Sequence, residues 1–428
     1  MTLQRALPWL VVALAIVVWL VPMQLVGFYD EGGITDIPTY EEAYEHIADG
    51  EVPYADFSLE YPPLAAGLFW LAGVIPGPYA AGFSALMLIC LCATALGVLA
   101  LARTLGLDQR RQLLASAAVA ASPLLLGNLL ETRFDLALAA LLAWTLWAAA
   151  AGRFRLMWGL LAAATLLKLV PLALVPVLLI WQRHRTGIRA AFAGLAGCLA
   201  AVAIVAAPFV AASPSGTWDL VQYHLDRPLQ IEATGAAYLL GLHALADIPI
   251  TVENSFGSQG LDGTGPAVIA GISTAVLIVL IGAIAWTLWI GLRRARPPGD
   301  ARLLVAASAA TIVSLLVAGK VLSPQFLVWL LPVAFLVAGR YGSTAYAVAA
   351  AAMLLTLSYF PDRYWDLVAL EPLPIALLVL RDTALIALLA ACWPRPGIAG
   401  LPLGRILRSP GADRQGAERA VAARYLVD

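Results

Sequence analysis

The sequence predicts an all-α polytopic membrane protein of about ten to twelve transmembrane helices, including a re-entrant hairpin, with loops that carry short interfacial helices. Three observations predict it. Of 428 residues, 61% are hydrophobic and 12% charged, about half the charge of a soluble globular chain. Apolar runs repeatedly reach the roughly 20 residues that cross a bilayer core, and the mean hydropathy is +0.85. Basic residues gather between alternate runs, as the positive-inside rule requires of a cytoplasmic face. The chain thus divides into a membrane domain, 1–393, and a disordered, arginine-rich cytoplasmic tail, 394–428. It is expected in the plasma membrane, crossing it many times.

The first apolar run, Ala6 to Gly27, follows Arg5. It exceeds the core of a signal peptide and ends without an A-x-A pattern, so it reads as an uncleaved span. Further spans are expected at 78–102, 112–129, 135–151, 188–211, 266–291, 302–319, 325–339, 343–359 and 373–392. Residues 61–76, opening Tyr61-Pro62-Pro63, are apolar but short, which suits an interfacial helix.

The segment Leu156 to Trp181 is too short for two crossings. Arg153 and Arg155 precede it, and Arg183, Arg185 and Arg189 follow. One crossing would put these clusters on opposite sides, so a re-entrant pair of half-helices is expected, with Lys168 and Pro171 at its tip. In that topology the cytoplasmic segments hold 20 of the 26 Lys+Arg and only 5 of the 27 Asp+Glu. A single span would throw Arg293, Arg294, Arg296, Arg302 and the tail arginines outside.

The remaining charge lies in two large outer loops, 28–62 and 213–264. The first carries acids from Asp30 and Glu31 to Glu60 and no lysine or arginine. Ile37, Tyr40, Ala43, Tyr44 and Ile47 recur at helical spacing, making an amphipathic helix with Asp36 as N-cap. The bland role for Asp36 is that cap; the chemical one is a general base at the mouth of a membrane cavity. The second loop runs Tyr223-His224-Leu225-Asp226-Arg227-Pro228-Leu229-Gln230-Ile231-Glu232, without metal-ligand spacing. His224, Gln230 and Glu232 there suit sugar or phosphate contacts. Only two lysines exist, Lys168 and Lys320, and neither lies in a cytoplasmic cluster. Each either snorkels to the interface or, with Arg133 and Arg227, meets an anionic ligand, because membrane-level charge is normally paired. Lys320 opens a polar break that includes Gln325, and Tyr61, Trp218 and Tyr223 offer rings for stacking on sugars.

Cys90, Cys92, Cys198 and Cys392 lie in apolar runs and imply neither metal nor disulfide. There is no Walker A loop and no G-x-G-x-x-G after a strand. No cofactor and no nucleic-acid partner is expected, and an enzyme here would draw on an energy source other than a nucleotide.

Asp36-Ile37-x-x-Tyr40, Asp49-Gly50, Pro53-Tyr54, Asp56-Phe57 and Tyr61-Pro62-Pro63-Leu64 resemble the first-loop signature of glycosyltransferase family 87. The resemblance continues through Arg133-Phe134-Asp135, Lys168 to Pro171, His224 to Glu232 and Lys320 to Gln325. It implies a GT-C superfamily bundle that moves a sugar, mannose in that family, from a polyprenyl-phosphate donor to a glycolipid or glycan acceptor, with inversion. Asp36 would be the base. Lys168, Arg133, Lys320 and Arg227 would hold the donor phosphate, and His224, Tyr40, Tyr61, Gln230, Glu232 and Gln325 would contact substrate. Asp30-Glu31 resembles a metal-binding acid pair of related enzymes, whereas family 87 implies metal independence. A transporter or flippase of lipid-linked sugars is the alternative, and a scaffold the third reading.

Overall fold

The computed structural model describes residues 3–25, 34–295, 299–339 and 341–395. Asp30, Glu31, Arg296 and the tail after Arg395 lie outside them. Among the described residues, seven helices are long and apolar enough to cross a membrane, or eight if one bent pair counts as a single span.

Helix α1 (Leu3–Val18) runs on through a wider turn to Leu25. The amphipathic helix appears as α2 (Ile37–Ala48), burying Tyr40 and Ala43, and the Tyr-Pro-Pro block opens the short apolar α3 (Pro63–Gly73). The long α4 (Tyr79–Thr104) follows. Next, α5 (Gln109–Ala120) is capped by Asp108, and α6 (Pro123–Leu126) continues in a 3-10 turn to Leu130. The expected span at 112–129 is this pair, bent by 50° where Pro123 interrupts it.

Helix α7 (Asp135–Ala150) has 16 residues, about 24 Å, short of the bilayer core by itself. A Cβ on Gly97 would stand 2.9 Å from that of Ala143, so glycine there lets α4 and α7 approach closely. At that contact the Trp144 Nε1 donates to the Ala93 carbonyl at 3.0 Å.

The segment expected as a hairpin is α8 (Phe154–Leu167) and α9 (Val175–Thr186), separated by Lys168 in extended backbone and a 3-10 turn holding Pro171. Trp158 Nε1 in the first turns of α8 donates to Gln182 Oε1 in the last turn of α9 at 2.6 Å. Residues that far apart in one straight helix would be separated by about 36 Å, so the chain doubles back at Lys168.

Two long, weakly covered helices follow, α10 (Ile188–Ala212) and, after the second large loop, α13 (Thr264–Leu292); only 6% of each apolar window is buried. Between them lie α11 (Pro214–Asp226), α12 (Thr234–Ala246) and a three-stranded antiparallel sheet ordered β1-β3-β2. Its strands are β1 (Leu229–Gln230), β2 (Thr251–Ser255) and β3 (Ser258–Asp262). The sheet is an addition to the helices expected in this loop. Its signal is a two-residue turn, Phe256-Gly257, with both residues at positive φ between paired Ser255 and Ser258.

The bundle closes with α14 (Gly299–Ala318), whose apolar window is 83% buried, α15 (Gly342–Tyr359), the short α16 (Tyr364–Val368) and α17 (Pro372–Cys392). The expected span at 325–339 takes another form. It is a series of 3-10 turns, Pro324–Leu330 and Ala334–Leu336, with Leu327 to Ala338 almost wholly buried. Such backbone is tolerated at membrane depth when protein rather than lipid surrounds it.

Candidate active site

The break after α14, the turn before α7, the tip between α8 and α9 and both large loops converge on one cavity of about 760 Å³. Asp36, Tyr61, Arg133, Lys168, His224, Arg227, Gln230, Glu232, Lys320 and Gln325 all line it. Tyr40 does not. It lies one layer beneath, stacked on Phe69 at 4.5 Å and 1% exposed, with its hydroxyl donating to Asp36 Oδ2 at 3.2 Å. Trp218 also stays outside the lining and is 56% exposed.

Asp36 occupies the N-cap position of α2 but makes no side-chain cap bond; Thr35 Oγ1 accepts from the Ile37 N–H instead. The Asp36 carboxylate turns toward Arg133, whose Nε lies 2.8 Å from Oδ2. Arg133 also donates to the carbonyls of Thr132 and Ile34, tying the first loop to the turn before α7. The Tyr40 hydrogen bond and the Arg133 ion pair both fall on Oδ2, and among the described residues neither kind of contact occupies Oδ1. Burial raises its pKa above the ordinary aspartate value, and the Arg133 charge only partly offsets this.

The four cations differ in their partners. Lys168 Nζ is 2.8 Å from Asp135 Oδ1, which also accepts from Trp329 Nε1 at 2.6 Å. Its ammonium sits among the rings of Phe134, Phe326 and Trp329 at 4.9, 5.0 and 5.4 Å. Arg133 is held by Asp36. In contrast, among the described residues Arg227 hydrogen-bonds to the Ser258 hydroxyl at 2.8 Å, and Lys320 to the Leu225 carbonyl at 2.5 Å. Neither has a carboxylate within ion-pair distance among the described residues. Burial and the nearby Arg227 lower the pKa of Lys320, and the same two causes lower that of His224.

Local folding explains these placements. The Gln230 N–H donates to the Lys320 carbonyl at 2.9 Å, and its side chain bonds Ser323 at 3.0 Å, so β1 is laid against the break after α14. Glu232 follows. Its carboxylate accepts from the Tyr359 hydroxyl at 2.7 Å and its carbonyl from Arg381 at 2.6 Å. Arg381 pairs with Asp382 at 2.8 Å, both fully buried in α17.

Five residues that matter were missing from the expected site. Asp135, Phe326 and Trp329 hold Lys168, and Glu60 and Asn254 line the cavity. Asp135 carried a signal, since it is one acid in an almost linker-free turn beside Arg133. Trp329 carried none, because it sits in a run that reads as a span.

The sequence profile of glycosyltransferase family 87 matches residues 59–324, more than half of the chain. The chain belongs to that family. The family 87 match includes Arg133, Lys168, His224, Arg227 and Lys320, and it begins after Asp36. No curated protein matches the chain. Membership makes this family 87 protein a membrane-embedded glycosyltransferase, working on a sugar donor and an acceptor.

Proposed function

We propose that this glycosyltransferase moves a sugar, mannose by the family resemblance, from a polyprenyl-phosphate donor to a glycolipid or glycan acceptor, with inversion. The observation that carries the reading is the mixed lining of the cavity. One part presents Asp36, His224, Arg227 and Lys320; another presents Leu169, Val170, Ala173, Leu277, Ile281 and Leu315 from membrane helices and the hairpin tip. A lipid-linked sugar phosphate has both characters: an apolar chain for the second part and an anion with a sugar for the first.

In this reading Arg227 and Lys320 hold the donor phosphate, because among the described residues neither has a carboxylate within ion-pair distance. Arg133 and Lys168 work through their partners, setting Asp36 and the hairpin tip in place. Asp36 Oδ1 takes the proton of an acceptor hydroxyl as its oxygen attacks the anomeric carbon. The carbon–oxygen bond to the phosphate breaks, and the polyprenyl phosphate leaves with its charge on Arg227 and Lys320. Tyr61, Gln230, Glu232 and Gln325 line the space left for the two sugars. The cavity opens on the outer face of the plasma membrane, and α8 and α9 form a re-entrant pair with Lys168 at its tip.

The deciding experiment is sugar transfer from labelled polyprenyl-phosphate sugars in membranes. Asp36→Asn should abolish transfer while donor binding persists; full transfer by that variant removes Asp36 as base. Orientation has its own check. Ser258→Cys should react with an impermeant thiol reagent in intact cells, and protection there would overturn the outward placement.

A further inference from the structure

A second, smaller cleft of about 180 Å³ lies between the last turns of α9 and α13, lined by Ile180, Arg183, His184, Trp289, Leu292 and Arg293. Trp289 is eight residues past Ile281 of the large cavity, about 12 Å along the same helix. The Arg183 guanidinium stands 3.9 Å from the centre of the Trp289 ring, and that of Arg293 stands 5.3 Å from it. Both arginines are exposed, and among the described residues neither has a carboxylate partner. Their neighbour Arg185 is the contrast, since it is bound to Asp300 at 2.9 Å.

Two unneutralised guanidinia gathered on one indole give a positive, planar, partly apolar recess. The recess opens beside a lipid-type surface: α13 is almost uncovered, and Trp286, one turn back, is 66% exposed. Ile180 and Leu292 supply the apolar edge against which the first carbons of an acyl chain would lie. A bare anion would use the charges but leave that edge without a role. An anionic phospholipid matches all of it, and basic recesses between membrane helices suit such head groups.

We propose that this cleft binds the phosphodiester head group of an anionic phospholipid, with Arg183 and Arg293 as counter-charges and Trp289 as the ring that holds them. The inference rests on the membrane-spanning fold and is independent of the transferase chemistry.

The test uses the full-length protein, purified and stripped of lipid, then titrated with phosphatidylglycerol, phosphatidylcholine or inorganic phosphate. Bound lipid is read by native mass spectrometry and stabilisation by thermal unfolding. Wild type should retain phosphatidylglycerol in preference to phosphatidylcholine. Arg183→Gln and Arg293→Gln should each weaken that retention about fivefold, and Arg155→Gln, an exposed arginine outside the cleft, should leave it unchanged. Equal retention by the Arg183→Gln/Arg293→Gln double variant overturns the proposal, as does an equal loss in Arg155→Gln, which would reduce the effect to general surface charge. Stabilisation by inorganic phosphate matching that by phosphatidylglycerol would also overturn it, by making the cleft a free-anion site.

Discussion

Asp36 and Glu232 reach the same cavity from the two large loops, yet they are held in different ways. The Asp36 side chain is 33% exposed, and among the described residues it keeps one oxygen free of protein partners and pairs with a single arginine. Glu232 is 1% exposed, with its carboxylate on Tyr359 and its backbone on Arg381, which Asp382 pairs in turn. Burial pushes the Glu232 carboxyl up to about 7, against the pull of the Arg381 charge. An acid that can accept a proton needs a free oxygen and a path to substrate, whereas an acid that fastens a loop needs neither. The difference fits the proposal that Asp36 is the base and Glu232 an anchor of the second loop.

The sharpest break in that comparison is a pair of isosteric amides. Asp36→Asn should lower transfer by about two to four orders of magnitude, the usual contribution of a positioned base. Glu232→Gln keeps an acceptor for Tyr359 and should stay within a few-fold of wild type. Equal losses in the transfer assay would erase the distinction.

Next in size is the anchor. Arg381→Ala leaves Asp382 charged and unpaired at zero exposure, which should cost about 3–5 kcal/mol, read as a fall in thermal midpoint. Removing both charges with Arg381→Leu/Asp382→Leu should recover part of that loss, and no recovery would mean that the bond to the Glu232 carbonyl is the larger contribution.

Smaller effects separate the cations. Arg227→Gln and Lys320→Gln should each raise the donor KM by about tenfold or more, from a charge-assisted contact of about 1.5–3 kcal/mol, with stability little changed. Lys168→Gln should instead lower stability, because Asp135 loses its counter-ion. A KM effect without destabilisation would make Lys168 a phosphate ligand after all.

The smallest effect is on pH. A base must be ionised, so the rate rises with pH through its pKa. Because burial raises that of Asp36, the rising limb should lie above the range of an exposed aspartate. Arg133 lowers the value, so Arg133→Gln should move the limb to still higher pH. A limb unmoved by Arg133→Gln would point to another acid, such as Glu60, which also lines the cavity.

Much of this was legible in the residue order. Hydropathy gave the long helices, and α2 and the Tyr-Pro-Pro start of α3 fell where spacing put them, because a local period needs no distant partner. The arginine bias pointed to a hairpin between Leu156 and Trp181; the Trp158–Gln182 bond brings its two arms together, and its re-entry from the cytoplasmic face is part of the proposal. Of the residues expected at the site, all but Tyr40 and Trp218 reached the cavity lining. The 3-10 segment after Pro324 was not legible, because only burial by neighbours lets irregular backbone persist at that depth, and no residue in it announces those neighbours.

By itself, then, the sequence determined that the polar residues collect in two loops of a membrane protein, along with the helices that carry those loops and the family. It could not decide which charges meet. Asp36 is not an N-cap side chain but the partner of Arg133, nearly 100 residues away. Lys168 is not a lone ammonium but the counter-ion of Asp135. Glu232 is fastened by α15 and α17. Each of these depends on distances between segments remote in the chain, and such distances are set by packing the whole bundle, which no local pattern encodes.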